Sequence, residues 1–233
     1  MSLIAVSNPS YALSPQHLSL HFWSWMLLAL CYFSPLSAAH AHPVTFQDGS
    51  ALFLKYQPKL SGTEFNYSYT PRSALGVTHV RFKRNAHETE HYLIPKWNTL
   101  YQRWNKPSSQ ANIYLSAGMG AFHQEDGDSG GALLGSLQAD WESRRYYTQF
   151  NADFIQAEGD NDLHHFRARV GVAPSLAAFD EIQTFLIAQV SYLPERAEAF
   201  QVGPVLRAFY GRYLFEIGMT QDGEFVGTAM IHF

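Results

Sequence analysis

The chain has little cysteine and no excess of positive charge, and each shortage excludes a class of protein. Cys31 is the single cysteine among 233 residues, so no disulfide framework can form within the chain. The formal net charge of -4 argues against a nucleic-acid partner. The length suits one domain, and no linker or internal repeat divides it.

No apolar run is long enough to cross a bilayer as a helix, which takes about 20 residues. The apolar stretch 22–33 is followed by Pro35 and by small residues up to Ala41. This arrangement is typical of a secretory signal peptide with an Ala-x-Ala cleavage site. Residues 1–41 contain no lysine or arginine, which departs from the usual cationic start of such a signal. We predict a signal peptide over 1–41 and cleavage after about Ala41.

Beyond Ala41 the chain consists of segments in which apolar and polar residues alternate. In 145–157, for example, Phe150 and Phe154 share one face with Tyr146, while Asn151 and Asp153 take the other. Alternation with a period of two residues predicts β-strands. We predict about twelve strands, near 49–57, 63–70, 75–84, 90–104, 109–122, 131–142, 145–157, 163–173, 181–193, 199–210, 212–220 and 224–233. Ten strands is the alternative, since Pro95 interrupts the long segment 90–104.

The segments indicate a closed membrane barrel, although a soluble β-sandwich would alternate too. They are longer than the usual 5–6 residues of soluble strands, and several reach the 9–11 residues that cross a bilayer. Aromatic residues collect near the strand ends, as interfacial girdles require. We therefore predict an all-β, antiparallel, up-and-down transmembrane β-barrel over 49–233. An even strand number puts both termini in the periplasm, with 42–48 as a short periplasmic segment.

The chain resembles the small outer-membrane β-barrel proteins of Gram-negative bacteria. The terminal FVGTAMIHF, with Phe225, Ile231 and Phe233, is similar to the final strand that those proteins present to the barrel assembly machinery. Ile231 replaces an aromatic residue often found at that position. The resemblance covers architecture over 49–233 and implies the outer membrane as location, with lipid and lipopolysaccharide as surroundings. No functional residue follows from it.

Charged residues fall on the faces that we predict to line the interior. They are Asp140, Glu142, Asp153, Arg167, Arg169, Arg207 and Glu216. Charges survive inside a barrel where they pair with each other or meet water. Two interpretations remain open. The charges form a salt-bridge network that holds the barrel together, or they form a constriction that selects small polar solutes.

Histidines beside acidic residues suggest a metal site at one rim. Imidazole and carboxylate together suit zinc, copper or nickel. The candidate ligands are His87, His91, His123, His164 and His165, and His42 would become the free N-terminus after cleavage. The strand count puts all of these except His42 at the extracellular rim. Solvated loop residues are the alternative interpretation.

The stretch 127–131, Gly-Asp-Ser-Gly-Gly, resembles the nucleophile loop of chymotrypsin-like serine proteases. About 100 residues follow Ser129, whereas in that family the serine lies near the end of the domain. We interpret the stretch as a surface loop. A lipid hydrolase or acyltransferase that uses Ser129 with His123 or His165 is a further alternative, because such barrel enzymes need a polar constellation at the interface.

The sequence therefore predicts a monomeric outer-membrane barrel without catalytic activity or cofactor, acting as a narrow pore or as a structural, surface-exposed barrel. A metal-ion-binding or metal-responsive envelope barrel is the first alternative, and the barrel hydrolase or acyltransferase is the second.

Overall fold

A computed structural model describes residues 42–125, 127–178 and 181–233. The predicted signal peptide lies outside these residues. The described chain forms a closed antiparallel β-barrel of twelve strands, in which each strand pairs with its sequence neighbours and β1 pairs with β12. The prediction of a twelve-stranded up-and-down barrel is confirmed.

The observed strands extend the predicted ones by a few residues in places and shorten them in others. They are β1 (Ser50–Gln57), β2 (Leu60–Thr70), β3 (Ser73–Lys83), β4 (Thr89–Lys106), β5 (Ser109–Gln124), β6 (Ser129–Ser143), β7 (Tyr146–Ala157), β8 (Leu163–Val172), β9 (Gln183–Tyr192), β10 (Phe200–Tyr210), β11 (Tyr213–Met219) and β12 (Phe225–His232).

Closure depends on the pairing of the first and last strands. β1 and β12 run antiparallel from Ala51 opposite His232 to Tyr56 opposite Gly227. The backbones of Ser50 and Phe233 exchange two further hydrogen bonds of 2.7 and 3.0 Å. Closure removes the unpaired backbone groups that a sheet edge would expose. Among the described residues, no helix is long and apolar enough to cross a membrane.

The two ends of the barrel differ in their connections. At the termini end, which holds both Ser50 and His232, four of the five hairpins have only two residues between strands. Those hairpins contain Arg72, Pro107, Arg144 and Arg212. At the opposite end, here called the loop end, most connections are longer and acidic.

The alternation of side chains gives the barrel an apolar outer face. On β9 and β10, for example, Leu186, Val190 and Leu206 are exposed, while Phe185 and Arg207 are buried. Other large apolar side chains on the outside include Leu54, Phe65, Leu75, Leu93, Trp97, Leu115, Leu133, Phe150, Val170, Phe215 and Ile217.

Pro95 does not interrupt β4, contrary to what its position suggests. It lies on the outer face, pairs in register with Val77 of β3, and leaves a gap in the ladder between β4 and β5. Proline cannot donate a backbone hydrogen bond, so the ladder is lost on one side only. The long strand continues because its other partner holds it.

A glycine allows β10 to approach the end of β11. A Cβ atom on Gly203 would overlap the carbonyl oxygen of Met219, whereas a Cβ atom on Gly135 of β6 would meet nothing within 4 Å.

We predict that Gly203→Ala destabilises the barrel by about 1–3 kcal/mol, because the backbone of a neighbouring strand must move to admit the methyl group. Gly135→Ala is the matched control and stays within about 0.5 kcal/mol of the wild type. The free energy of unfolding of both variants is measured by urea titration of the refolded barrel in detergent. The readout is the difference in gel mobility between the folded and unfolded forms. Equal stability of the two variants would contradict the close approach.

Candidate functional site in the barrel interior

The barrel interior contains carboxylates that each bind several donors. Glu64 on β2 accepts hydrogen bonds from Lys55 Nζ at 2.8 Å, Lys96 Nζ at 2.7 Å and Asn66 Nδ2 at 2.8 Å. These residues come from β1, β2 and β4, so the group ties together the first strands of the chain. The side chain of Glu64 is only 8% exposed. A carboxylate with two cationic partners is stable there because its charge is neutralised.

Glu216 on β11 forms the second such group, on the opposite part of the sequence. Arg207 Nε and Nη2 lie 2.7 and 2.6 Å from Oε1, and Arg169 Nη1 lies 3.0 Å from the same oxygen. Arg207 also donates to the Tyr147 hydroxyl at 3.0 Å, and its guanidinium lies 4.0 Å from the centre of the Tyr147 ring. Arg169 donates in addition to Gln189 at 2.7 Å. Arg169 and Arg207 are therefore each held by Glu216 and by one further side chain.

Asp140 centres a third group near the termini end. It accepts hydrogen bonds from Asn112 Nδ2 at 2.7 Å and Gln138 Nε2 at 3.1 Å. His42 Nδ1 lies 3.5 Å from the carboxylate oxygen that Gln138 binds, and the His42 ring stacks on Tyr114 with 5.1 Å between centroids. His42 is buried, and Val44 packs with Leu100 and Tyr114. Residues 42–44, predicted to be part of a periplasmic segment, thus lie within the mouth of the barrel.

Asp153 and His165 form a smaller polar group in the middle of the lumen. Ser136 donates to Asp153 at 2.5 Å, and His165 Nδ1 lies 3.6 Å from the other carboxylate oxygen. The second ring nitrogen of His165 lies 2.8 Å from Ser191 Oγ. The Asp153 side chain is 38% accessible although it faces inward, so it borders free space inside the barrel.

Arg167 differs from the other interior arginines. Its Nη2 donates to Asn151 Oδ1 at 3.3 Å, while its Nε is buried without a hydrogen-bond partner. Across residues 42–125, 127–178 and 181–233, no carboxylate lies within ion-pair distance of it. Arg167 therefore lacks the ion pair that stabilises both of its neighbours Arg169 and Arg207.

A cavity of about 140 Å³ lies among these groups. Its charged lining consists of Lys55, Glu64, Lys96, Asp153, His165 and Arg167. Its apolar lining includes Phe53, Leu60, Val80, Leu134, Ile155 and Leu163. Pro43, in the N-terminal segment that enters the barrel mouth, also borders the cavity.

Apolar side chains close the lumen toward the loop end. This loop-end cluster consists of Leu60, Phe82, Tyr92, Ile94, Phe122, Ala132, Leu134, Ile155, Leu163 and Leu193. Beside it, Arg84 binds both oxygens of the buried Glu90, at 2.5 and 3.0 Å, and the Tyr92 hydroxyl also donates to Glu90. Burial alone lowers the pKa of Arg84, but the hydrogen bonds and charge of Glu90 outweigh burial and raise that pKa above its usual value.

The seven charged residues singled out in the sequence all have positions on the inward face. Asp140, Arg169, Arg207 and Glu216 are buried, and Glu142, Asp153 and Arg167 are half-buried. Sequence reasoning missed Lys55, Glu64 and Lys96. Their signal was present, because Lys55 alternates with Phe53 and Gln57 on one face and Glu64 with Asn66 on another. The signal was weak because β1 and β2 are the segments in which apolar and polar residues alternate least regularly.

The structure does not bring the six candidate histidines together. His42 lies at the termini end, and His165 points into the lumen. His87 is exposed in the turn after β3, His164 binds Glu195 at 2.6 Å, and His91 lies 3.2 Å from His79 and 3.3 Å from Glu125. Among the described residues, no group of three or more His, Cys, Asp or Glu side chains is arranged to hold a metal ion.

Ser129 and His123 are neighbours at the exposed loop end. His123 Nδ1 lies 2.9 Å from Ser129 Oγ, and the two residues pair directly across β5 and β6. Within the part of the chain that the structure describes, no hydrogen bond links His123 to a carboxylate. The pair lacks the third group that orients the base in a serine hydrolase.

The fold and interior define the class of protein: a closed antiparallel barrel with an apolar outside and a charged inside. No protein-family model and no curated protein matches the chain. Among solved structures, the chain is similar to OccAB4 from Acinetobacter baumannii, with a TM-score of 0.36 and 9% sequence identity. The similarity covers 77% of this chain and 55% of OccAB4.

We predict that Glu216→Gln destabilises the barrel by about 3–5 kcal/mol, because it leaves Arg169 and Arg207 buried without their shared carboxylate. Asp222→Asn in the exposed turn before β12 is the matched control and changes stability by about 0.5 kcal/mol or less. Urea titration in detergent measures both variants. Unchanged stability of Glu216→Gln would mean that water already screens these charges.

Proposed function

We propose that the chain is an integral outer-membrane protein that acts as a narrow pore for small polar solutes, without catalysis. The observation that supports this proposal best is the separation of the two faces. Large apolar side chains stand exposed around the outside, while charged side chains surround a cavity on the inside. A structural barrel with a permanently closed lumen is the alternative that the experiments below separate from a pore.

The outer face fits a lipid environment. Soluble monomers rarely expose contiguous apolar patches larger than a few hundred Å². Here Leu186, Leu206 and Ile217 lie side by side on adjacent strands and are each about half exposed. In lipid every backbone polar group needs a partner within the protein, and a closed barrel meets that need.

Aromatic side chains near both ends fit the two membrane interfaces. Tyr101, Trp104, Trp141, Tyr146 and Tyr210 lie on the outside near the termini end. Tyr56, Phe200 and Phe225 lie on the outside near the loop end, where Tyr192 stacks on Phe200. Girdles of aromatic residues at both interfaces are typical of outer-membrane barrels. We place the termini end in the periplasm and the loop end at the cell surface.

The last strand supports assembly in that membrane. Phe225 and Ile231 share the outer face of β12, Phe233 follows directly after the strand, and Phe225 and Phe233 are exposed. We propose that this face is the signal that the barrel assembly machinery recognises before β12 pairs with β1.

We predict that Leu206→Arg destabilises the inserted barrel by about 2–4 kcal/mol, because the arginine faces lipid near the middle of β10. Leu206→Met is the control and costs less than about 1.5 kcal/mol. Refolding of the chain from His42 into phosphatidylcholine vesicles, titrated with guanidinium, measures the difference. A chain that stays monomeric in buffer without detergent, and that Leu206→Arg makes more soluble, would contradict a membrane location.

The interior restricts any pore to a small diameter. The loop-end cluster narrows the lumen near the loop end, and residues 42–44 narrow it near the termini end. Hydrophobic constrictions gate channels by excluding water. We therefore expect small, infrequent conductance steps from the wild-type protein.

We predict that Phe122→Ala raises single-channel conductance several-fold in a planar bilayer, because it removes a ring from the loop-end cluster. Leu115→Ala is the matched control, since Leu115 lies on the same strand but faces outward. The gel shift of the folded form shows that both variants are intact. Absence of conductance from the wild type and from a folded Phe122→Ala variant would contradict the pore and leave the structural barrel.

A further inference from the structure

We infer that the cavity in the barrel interior binds a small carboxylate that carries a short apolar or aromatic group. The inference depends on the barrel and its interior, and it does not require that any solute crosses the membrane.

The charges that line the cavity leave one cation without a partner. Lys55 and Lys96 share Glu64. Asp153 is bound by Ser136 and faces His165 at 3.6 Å. Among the described lining residues, only Arg167 remains as a cation with no carboxylate in ion-pair distance. Removing a charge from water without a partner is costly even when the residue is half-buried, so an anion that enters this space gains a partner that the protein does not provide.

The neighbours of Arg167 cannot supply that partner. Arg169 and Arg207 already bind Glu216, so its oxygens are occupied by two guanidinium groups. Asn151 accepts one hydrogen bond from Arg167 and donates to Gln138, which holds the amide in place. Nη1 of Arg167 has no hydrogen-bond partner among the described residues and is not one of the buried unpartnered atoms, so it is the donor that a ligand can reach, while Nε is buried and unpartnered. A guanidinium edge matches the two oxygens of a carboxylate.

The other wall of the cavity is apolar. Val80, Leu134, Ile155 and Leu163 line it on the side of the loop-end cluster. An apolar cavity of about 150 Å³ holds a molecule as large as benzene, and this cavity measures about 140 Å³. A carboxylate at Arg167 with a ring or short chain against Leu134 and Ile155 would use both walls. Chloride or water would use only the polar one.

Lys55 lies where a second contact can form. Its side chain is 38% accessible although it faces inward, and it lines the same cavity as Arg167. A ligand carboxylate near both residues would meet two positive charges. Because Glu64 already offsets part of the charge of Lys55, the net positive charge left for a ligand is less than two. The site therefore favours a monoanion.

Calorimetric titration of the folded barrel in a neutral detergent tests the inference, with benzoate as the probe. Benzamide is the neutral control of equal shape, and chloride is the small-anion control. We expect benzoate to bind and benzamide and chloride to bind at least about tenfold more weakly, since a charge-assisted hydrogen bond is worth at least that factor. Benzoate that binds no better than chloride or benzamide would overturn the inference.

Two variants locate the site. Arg167→Gln weakens benzoate binding at least about tenfold, whereas Arg81→Gln on the outer face of β3 leaves it unchanged. Ile155→Phe fills part of the cavity beside the apolar wall and also weakens benzoate binding. It replaces Arg167→Gln as the test if the Arg167→Gln variant does not show the gel shift of the folded form. Unchanged affinity in either folded interior variant would overturn the inference. Benzoate binding by a wild-type protein that shows no conductance would contradict the pore alone.

Discussion

The whole structure depends on the pairing of β1 with β12. Until these strands meet, each presents a row of unpaired backbone N–H and C=O groups, which lipid cannot satisfy. Their register, with Ala51 opposite His232, joins strands from the two ends of the described chain. Once this contact forms, every side chain is assigned to the outside or to the lumen, because side chains alternate along each strand. The chemistry of the two faces follows from that one closure.

Closure also explains how the charges are arranged. Unpaired charges are costly in a narrow lumen, so Glu64 and Glu216 each bind cations from two other strands. Glu64 joins β1, β2 and β4, and Glu216 joins β8, β10 and β11. Each group connects strands that are not all adjacent in the sheet. The groups therefore brace the barrel across its interior, in addition to the backbone ladder.

Alternation in the sequence was sufficient to predict the number of strands and most of their bounds, because the exposed apolar face and the inward polar face are both long. It also identified Arg167, Arg169, Arg207 and Glu216 as interior residues. The alternation could not predict which side chains contact each other within the lumen, since contacts such as Arg167 with Asn151 or Lys96 with Glu64 depend on strand register and barrel tilt. The position of His42 beside Tyr114 was equally hidden, because 42–44 form no strand and their place is decided by packing. The six histidines do not converge because His42 lies at the termini end and His165 lies in the lumen, while His164 lies on a strand distant from the paired His91 and His123.

The same pairing that stabilises the interior limits what can happen in it. A solute that enters must compete with the ion pairs of Glu64 and Glu216, in which the carboxylate already has two cations, and displacing such a pair exposes buried charge. The charges of Glu64 and Glu216 are thus poor contacts for a mobile ion, however central their positions. Arg167 is different, because it is half-buried and has no carboxylate within ion-pair distance in the described chain. The cations that bind Glu64 and Glu216 already have a carboxylate partner, whereas Arg167 has none in the described chain. An anionic solute therefore binds most favourably at Arg167, which lies on the cavity wall where the solute can reach it.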